Sequence, residues 1–346
     1  MNNLFINASN IHNGGGAVLL KELLSTPPKG IKVFLLHDSR LIINYSKYEN
    51  IIFRSVKPNI FSRIYSDYWI YKNSQKEDFV LCFGNLPTFF KLRSFVILFL
   101  QNRFLIDEIN SIRYLNFQPK IRNIYERIIF LLFKDNVDKY IVQSQTMEEL
   151  LKKNFNKDAL KMSFLSSNFL KYDKEIKNLG SKKYDFIYVA SEDIHKNHKN
   201  LIQAWIILSR ENIYPSLLLT LKKNSFNRLI ENSLDKKVIN KLRIYNIEPK
   251  KDANIYEIFS KGEALIFPSL IESYGLPLME AKQLGMKIIA SELDYVRDIV
   301  DPDFTFDPYS PKSISRSVKR YLQIQSNLDM PISSKTFIKK LINKES

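Results

Sequence analysis

Pro268-Ser269-Leu270-Ile271-Glu272-Ser273-Tyr274-Gly275-Leu276-Pro277-Leu278-Met279-Glu280-Ala281 is the stretch on which the reading of this chain turns. The apolar run 264–268 leads into it and reads as a buried strand that ends at Pro268. A loop then carries Glu272, and Pro277 suits the first turn of a new helix, where its missing N–H costs nothing. Such a helix start is an anion site. Unpaired backbone N–H groups near Gly275 and Leu276, together with the positive end of the helix dipole, favour a diphosphate. Glu280 falls roughly one turn inside the helix, where a carboxylate can accept two hydroxyls of a ribose. Glu272 can reach the hydroxyls of a sugar on the other side of the phosphates, so the expected order along the ligand is ribose, diphosphate, sugar. Taken singly, Glu280 reads as well as a solvated helix carboxylate and Glu272 as a loop charge; their shared context favours a site.

Outward from this stretch the chain alternates strands and helices. Residues 4–8 read as a strand, 10–16 as a polar glycine turn and 17–24 as a helix. Further strands are expected at 32–36, 79–83, 95–100 and 138–143, with helices at 64–71, 121–133 and 146–154. Composition turns polar at 172–183, which is read as a linker. Beyond it come strands at 184–190, 216–221, 264–268 and 288–291, a helix at 200–209, and two tail helices at 312–325 and 333–343. This alternation predicts an α/β protein with parallel sheets covered by helices on both faces. Its length, 346 residues, fits two domains better than one core. The expected division is 1–172, a linker at 173–183, a second domain at 184–310, and C-terminal helices at 311–346 that could pack back across the lobes.

Glycine is scarce, with nine in the chain, so the triplet Gly14-Gly15-Gly16 stands out as a place where backbone approaches a ligand. It lacks the G-x-G-x-x-G spacing and there is no Walker lysine, so a plain turn is the competing reading. A second basic segment, Val189-Ala190-Ser191-Glu192-Asp193-Ile194-His195-Lys196-Asn197-His198-Lys199-Asn200-Leu201-Ile202-Gln203-Ala204, follows the first strand of the second domain. Gln101-Asn102-Arg103 follows strand 95–100, at the edge where ligands bind in α/β sheets.

Glu-x7-Glu with Gly-Leu-Pro between the acids resembles the signature of glycosyltransferase family 4, the retaining "glycosyl transferases group 1". The 189–204 segment is similar to that family's strand, basic loop and Leu-Ile-x-Ala helix. The resemblance is tight over 184–300 and looser over the first domain. It implies a GT-B fold, two Rossmann-like parallel-sheet domains facing a cleft. It also implies a donor site in which Lys196, Glu272 and His195 act at the reacting sugar and phosphates, with Gly275, Leu276, Pro277, Glu280, Ser273, Tyr274 and Lys199 holding the nucleotide sugar. His195 stands where arginine is usual in the family. Because histidine is charged only below roughly pH 6.5, Lys196 is the expected phosphate ligand, with Lys199 as a second charge. The loop Gly14, Gly15, Gly16 is expected to meet phosphate or acceptor, and Gln101, Asn102 and Arg103 the acceptor.

Composition bounds the partners. Lysine and arginine outnumber acidic residues by 52 to 36, a formal charge of +16. Residues 1–172 hold 24 basic and 14 acidic side chains, a net +10, so the first domain is the more basic. No zinc-finger spacing or RNP-type motif supports nucleic acid, whereas an anionic membrane surface stays a candidate partner. The basic aromatic stretches 63–72 and 122–134 suit either a membrane face or core helices, and core helices are favoured. One cysteine, Cys82, excludes an internal disulfide. The uncharged Met1-Asn2-Asn3 gives no reason to expect a secretory signal, and no apolar run approaches the roughly 20 residues of a span. The expected placement is cytoplasmic, and peripheral attachment to the inner face of the plasma membrane is the alternative left open.

No cofactor beyond the nucleotide-sugar substrate is implied and no metal is expected; Asp301-Pro302-Asp303 reads as a turn. The expected activity is retaining transfer of a sugar from a nucleotide sugar to a glycan or lipid-linked glycan, as in surface polysaccharide biosynthesis. A sugar-nucleotide epimerase or phosphorylase of the same fold, and a non-catalytic subunit of a polysaccharide assembly complex, are the rival readings.

Overall fold

The computed structural model describes residues 2–28, 30–48, 50–164, 182–233, 241–248 and 255–324. Two sheets, both parallel throughout, organise these residues. The first contains β1 Asn3–Ala8, β2 Lys32–Asp38, β3 Ile51–Val56, β4 Phe79–Cys82, β5 Phe95–Phe99, β6 Lys139–Val142 and β7 Ala159–Lys161, in the order β3-β2-β1-β4-β5-β6-β7. The second contains β8 Tyr184–Tyr188, β9 Leu217–Leu219, β10 Ile244–Asn246, β11 Gly262–Phe267, β12 Lys287–Ser291 and β13 Phe304–Phe306, in the order β10-β9-β8-β11-β12-β13. Each order reverses once, at β1/β4 in the first lobe and at β8/β11 in the second. Open α/β sheets bind ligands in the crevice at such a reversal, beyond the carboxyl ends of the strands.

The helices follow from apolar periodicity between strands. They are α1 Gly14–Ser25, α2 Ile60–Asn73, α3 Phe117–Phe133, α4 Gln145–Phe155, α5 His198–Arg210, α6 Lys223–Ser233, α7 Ile255–Phe259, α8 Leu276–Gln283, α9 Asp294–Arg297 and α10 Pro311–Tyr321. In the first lobe α1 covers one sheet face through Leu19, Leu20 and Leu24. The other face is covered by α2, α3 and α4 through Ile70, Ile129, Phe130, Met147 and Leu151, as right-handed crossovers that change direction at β1/β4 require. In the second lobe Phe186, Ile187, Leu217, Leu218, Leu219, Leu265 and Ile266 are wholly buried. Such near-continuous apolar runs are what a strand sandwiched on both faces needs.

Several expectations shift. The glycine triplet does not form a free turn: Gly14, Gly15 and Gly16 are the first turn of α1, because the apolar run behind them carries the helix back to the sheet edge. Four strands, β3, β7, β10 and β13, went unpredicted. The first tail helix packs wholly on the second lobe, burying Ile314 and Val318 and pairing Lys319 with Glu211 at 2.7 Å. Most of the linker expected at 173–183, and the tail helix expected at 333–343, lie outside the described residues.

Candidate active site

Two loops meet at the reversal point of the second sheet. One leaves β8 and carries His195 and Lys196; the other leaves β11 and carries Ser269 to Gly275. Backbone and side chains bind them together. The Leu270 amide and the Ser269 hydroxyl both donate to the His195 carbonyl, at 2.8 and 3.2 Å, and Asn197 Nδ2 donates to the Pro268 carbonyl at 3.0 Å. Tyr188, on β8, donates its hydroxyl to the Lys196 carbonyl at 2.7 Å. This stitching fixes the side chains above it. Lys196 Nζ lies 2.6 Å from Glu272 Oε1, with both side chains largely buried, and the same oxygen accepts from Ser269 Oγ at 2.6 Å.

Gly275 ends the second loop with φ +73°, a left-handed conformation that glycine adopts without strain. α8 starts at the next residue with Pro277 in its first turn. No side chain caps that helix start, and the amides of Gly275 and Leu276 donate to no partner among the described residues. The helix N-terminus is therefore open to an anion. Glu280 sits one turn further along, almost fully buried. Its carboxylate has no hydrogen-bond or ion-pair partner among the described residues, and burial pushes its pKa up to about 7. A buried carboxyl with unused acceptors implies a ligand that brings donors.

The remaining residues divide by surroundings. His195 is buried, stacked edge-on to Phe104 at 5.4 Å, and its pKa is lowered, first by burial and then by Lys196. It is neutral at pH 7 and cannot replace the family's arginine as a fixed charge. Its Nδ1 is buried with no partner. Lys199 is exposed on α5 and makes no ion pair among the described residues. Tyr274 is packed into the core of the second lobe.

Ser273 is bonded to the first lobe. Its hydroxyl accepts from the Arg103 amide at 2.9 Å and its carbonyl from Ser144 Oγ at 3.1 Å. Leu276 also touches the first lobe: a Cβ on Gly15 would come within 2.9 Å of its Cδ1. The uncapped starts of α1 and α8 therefore lie close together, and of the glycine triplet it is Gly15 that permits the approach. A small apolar cluster of Phe104, Leu270 and Ile271 completes the contact.

Gln101, Asn102 and Arg103 are also held by hydrogen bonds within the first lobe. Gln101 Nε2 donates to the Phe83 carbonyl, Asn102 caps the short helical turn that follows, and Arg103 Nε pairs with Asp107 at 2.7 Å. Sequence reasoning missed a groove of about 300 Å³ at the carboxyl edge of the first sheet, lined by Ser9, Asn10, Asp38, Arg40, Arg63 and Arg122 among others. Its lining comes in short pieces from the ends of β1, β2 and β3, from the loop after β4 and from α2 and α3, and none of these pieces carries a motif of its own. Among the described residues no group of three or more His, Cys, Asp or Glu side chains could hold a metal ion. Asp303 accepts from the Ile288 amide and pairs with Lys287, holding a turn.

Comparison with known proteins places this arrangement. Residues 171–337 match the family of glycosyl transferases group 1. The serotype-specific mannosyltransferase WbdA of Escherichia coli is 26% identical over 141 residues, 40% of this chain and 17% of that protein. The O-antigen chain mannosyltransferase RfbU of Salmonella typhimurium is 22% identical over 205 residues, 59% of this chain and 56% of the relative. The chain thus spans only part of the length of these curated relatives. The crystal structure of Anabaena Alr3699/HepE in complex with UDP and glucose superposes with a TM-score of 0.63 at 11% identity, over 93% of this chain and 90% of the other. That likeness shows the fold: two parallel-sheet lobes in the GT-B arrangement.

Proposed function

We propose, from the match of residues 171–337 to the glycosyl transferases group 1 family, that this chain moves a sugar from a nucleotide-sugar donor to a glycan or lipid-linked glycan, with retention at the anomeric carbon. One observation carries the reading: the Lys196–Glu272 pair, the uncapped start of α8 and the unpartnered Glu280 converge at the reversal point of one sheet. The donor's diphosphate lies against the Gly275 and Leu276 amides, its ribose hydroxyls donate to Glu280, and its sugar hydroxyls reach Glu272. Negative charge grows on the diphosphate as the bond to the sugar breaks. Lys196 and the α8 dipole are positioned to stabilise that charge without reorganising.

The acceptor enters from the first lobe, along the groove beside Asp38 and Arg40. Contacts of Ser273 and Leu276 with the first lobe let lobe closure and donor-loop geometry act together. The names of the relatives, a serotype-specific and an O-antigen chain mannosyltransferase, support a role in surface polysaccharide assembly; its placement on the cytoplasmic side, peripheral to the membrane, is part of the same proposal. The chemistry needs no resident cofactor.

Thermal shift against UDP, GDP, dTDP and CDP, followed by hydrolysis of the matching nucleotide sugars, tests the reading. One diphosphate should stabilise the protein, its sugar derivative should release sugar slowly to water, and Lys196→Ala should slow that release by about 100 to 1,000-fold. Conversion of the donor to an isomerised nucleotide sugar without acceptor would favour the epimerase instead.

A further inference from the structure

The helices α2 and α3 are turned the wrong way for ordinary members of a core. A helix on a sheet is expected to bury its apolar stripe and show its polar face to water. On α2 the exposed residues include Phe61, Ile64, Tyr65, Tyr68 and Tyr71, and the buried ones include Ser66 and Asp67. On α3 the exposed stripe is longer, Phe117, Ile121, Ile124, Tyr125, Ile128, Leu131 and Leu132, while Asn123 and Glu126 point inward. Exposure reaches 80% at Phe61, 77% at Phe117 and 68% at Leu132. Both helices cover the same face of the first sheet. The segment between them is aromatic too: Phe90 packs on Tyr68 and Tyr71, and Phe89 on Phe133. An apolar surface of this continuity marks a place of contact.

Its charge says what it contacts. The only acids on the two helices are buried: Asp67 accepts from Asn7 Nδ2 and the Phe89 amide, and Glu126 from Arg122. Beyond the Arg122–Glu126 pair, the charges that these elements turn to solvent are basic, Lys72 on α2 and Lys57 just before it. Two copies of this chain meeting through the face would bring like charges together. Apolar stripes interleaved with tyrosine and basic side chains suit the boundary of an anionic bilayer, where rings sit at headgroup depth and cations meet lipid phosphates. No described helix is long and apolar enough to cross a membrane.

We propose that the outer face of α2 and α3 rests on an anionic lipid surface. The groove of the first lobe opens between the amino-terminal halves of the same two helices, through Ile60, Arg63, Arg122 and Tyr125. A bilayer against this face would therefore deliver a lipid-borne acceptor along the groove to the cleft; this consequence rests on the glycosyl-transfer reading, whereas the docking itself does not.

The test is flotation of the full chain with vesicles of phosphatidylcholine alone and of phosphatidylcholine with about a third phosphatidylglycerol. The expected result is binding to the anionic vesicles, weakened by high salt, and at least 10-fold weaker partitioning for Phe61→Ser/Ile128→Ser and for Lys57→Glu/Lys72→Glu. Both double variants should keep the far-ultraviolet dichroism and the nucleoside-diphosphate thermal shift of the wild-type protein, which separates a failure of docking from a failure of the donor site. Absence of binding to either vesicle, or equal binding by the variants, overturns the proposal. So does a concentration-dependent dimer that Phe61→Ser/Ile128→Ser dissolves, since the face would then serve a second copy.

Discussion

The two lobes share a strand order and place their working residues at the same point in it, yet they do so with opposite economies of sequence. In the second lobe the candidate donor site is written in two short segments, 193–197 and 268–280, that leave adjacent strands β8 and β11. Its helices hide apolar residues, and its polar chemistry collects at one crevice. In the first lobe the groove draws short pieces from the ends of three strands and from α2 and α3, and two of its helices face their apolar stripes outward. Phosphate chemistry needs a helix start, a cation and close backbone, all of which local sequence can specify. Acceptor recognition and surface contact need only side chains brought together by the fold.

The largest test of that contrast is Lys196→Ala. Removing a preorganised charge from the leaving diphosphate should slow donor turnover by about 100 to 1,000-fold, while Arg40→Ala in the first-lobe groove should leave diphosphate binding unchanged. Titration calorimetry and donor hydrolysis read both effects, and equal losses from the two substitutions would erase the distinction between lobes.

Glu280 offers a test in pH. Its folded pKa, about 7, lies above the ordinary 4.5, so the folded state holds the proton more tightly than the unfolded one. The unliganded protein carries no penalty from this group below about pH 4.5. It loses stability as pH rises from about 4.5 to about 7, by on the order of 3 kcal/mol in all, and no more above that. Glu280→Gln should therefore melt higher than wild type at pH 8, melt no higher at pH 4.5, and bind nucleoside diphosphate more weakly. Melting curves that differ equally at both pH values would show that burial of this carboxyl is not what distinguishes the site.

Gly275→Ala should be milder. A side chain at φ +73° carries strain of about 1–2 kcal/mol, and its Cβ would meet Leu278 Cδ1 at 3.2 Å. Denaturant titration should show that loss, together with weakened diphosphate binding. Smallest of all, Ser273→Ala removes one acceptor shared with the first lobe, worth about 1 kcal/mol. It should raise the acceptor Michaelis constant a few-fold and leave diphosphate affinity alone.

Legibility followed the same division. The strands at 4–8, 32–36, 79–83, 184–190 and 288–291 were readable because parallel strands buried on both faces are runs of apolar residues. The unpredicted strands lie at or beside sheet edges, and β7, β10 and β13 have three residues each, too few to show a period. β3 alternates Phe53 and Arg54 at an open edge and so reads as loop. The motif around Glu272, Gly275 and Glu280 was legible since its geometry is local. That Ser273 and Tyr274 belong to the lobe contact and the core was not, because a sequence within a loop does not say which side each residue faces. Periodicity likewise finds the stripe on α3 but cannot tell that it faces outward; the buried Asn123 and Glu126 on the opposite side were the available hint.

A structure of the chain soaked with the nucleoside diphosphate that stabilises it most tests the central claim directly. The account predicts phosphates against the Gly275 and Leu276 amides beside Lys196, and ribose hydroxyls within hydrogen-bond distance of Glu280. A nucleotide bound outside the β8/β11 crevice, or bound there with Glu280 still lacking a partner, would contradict it.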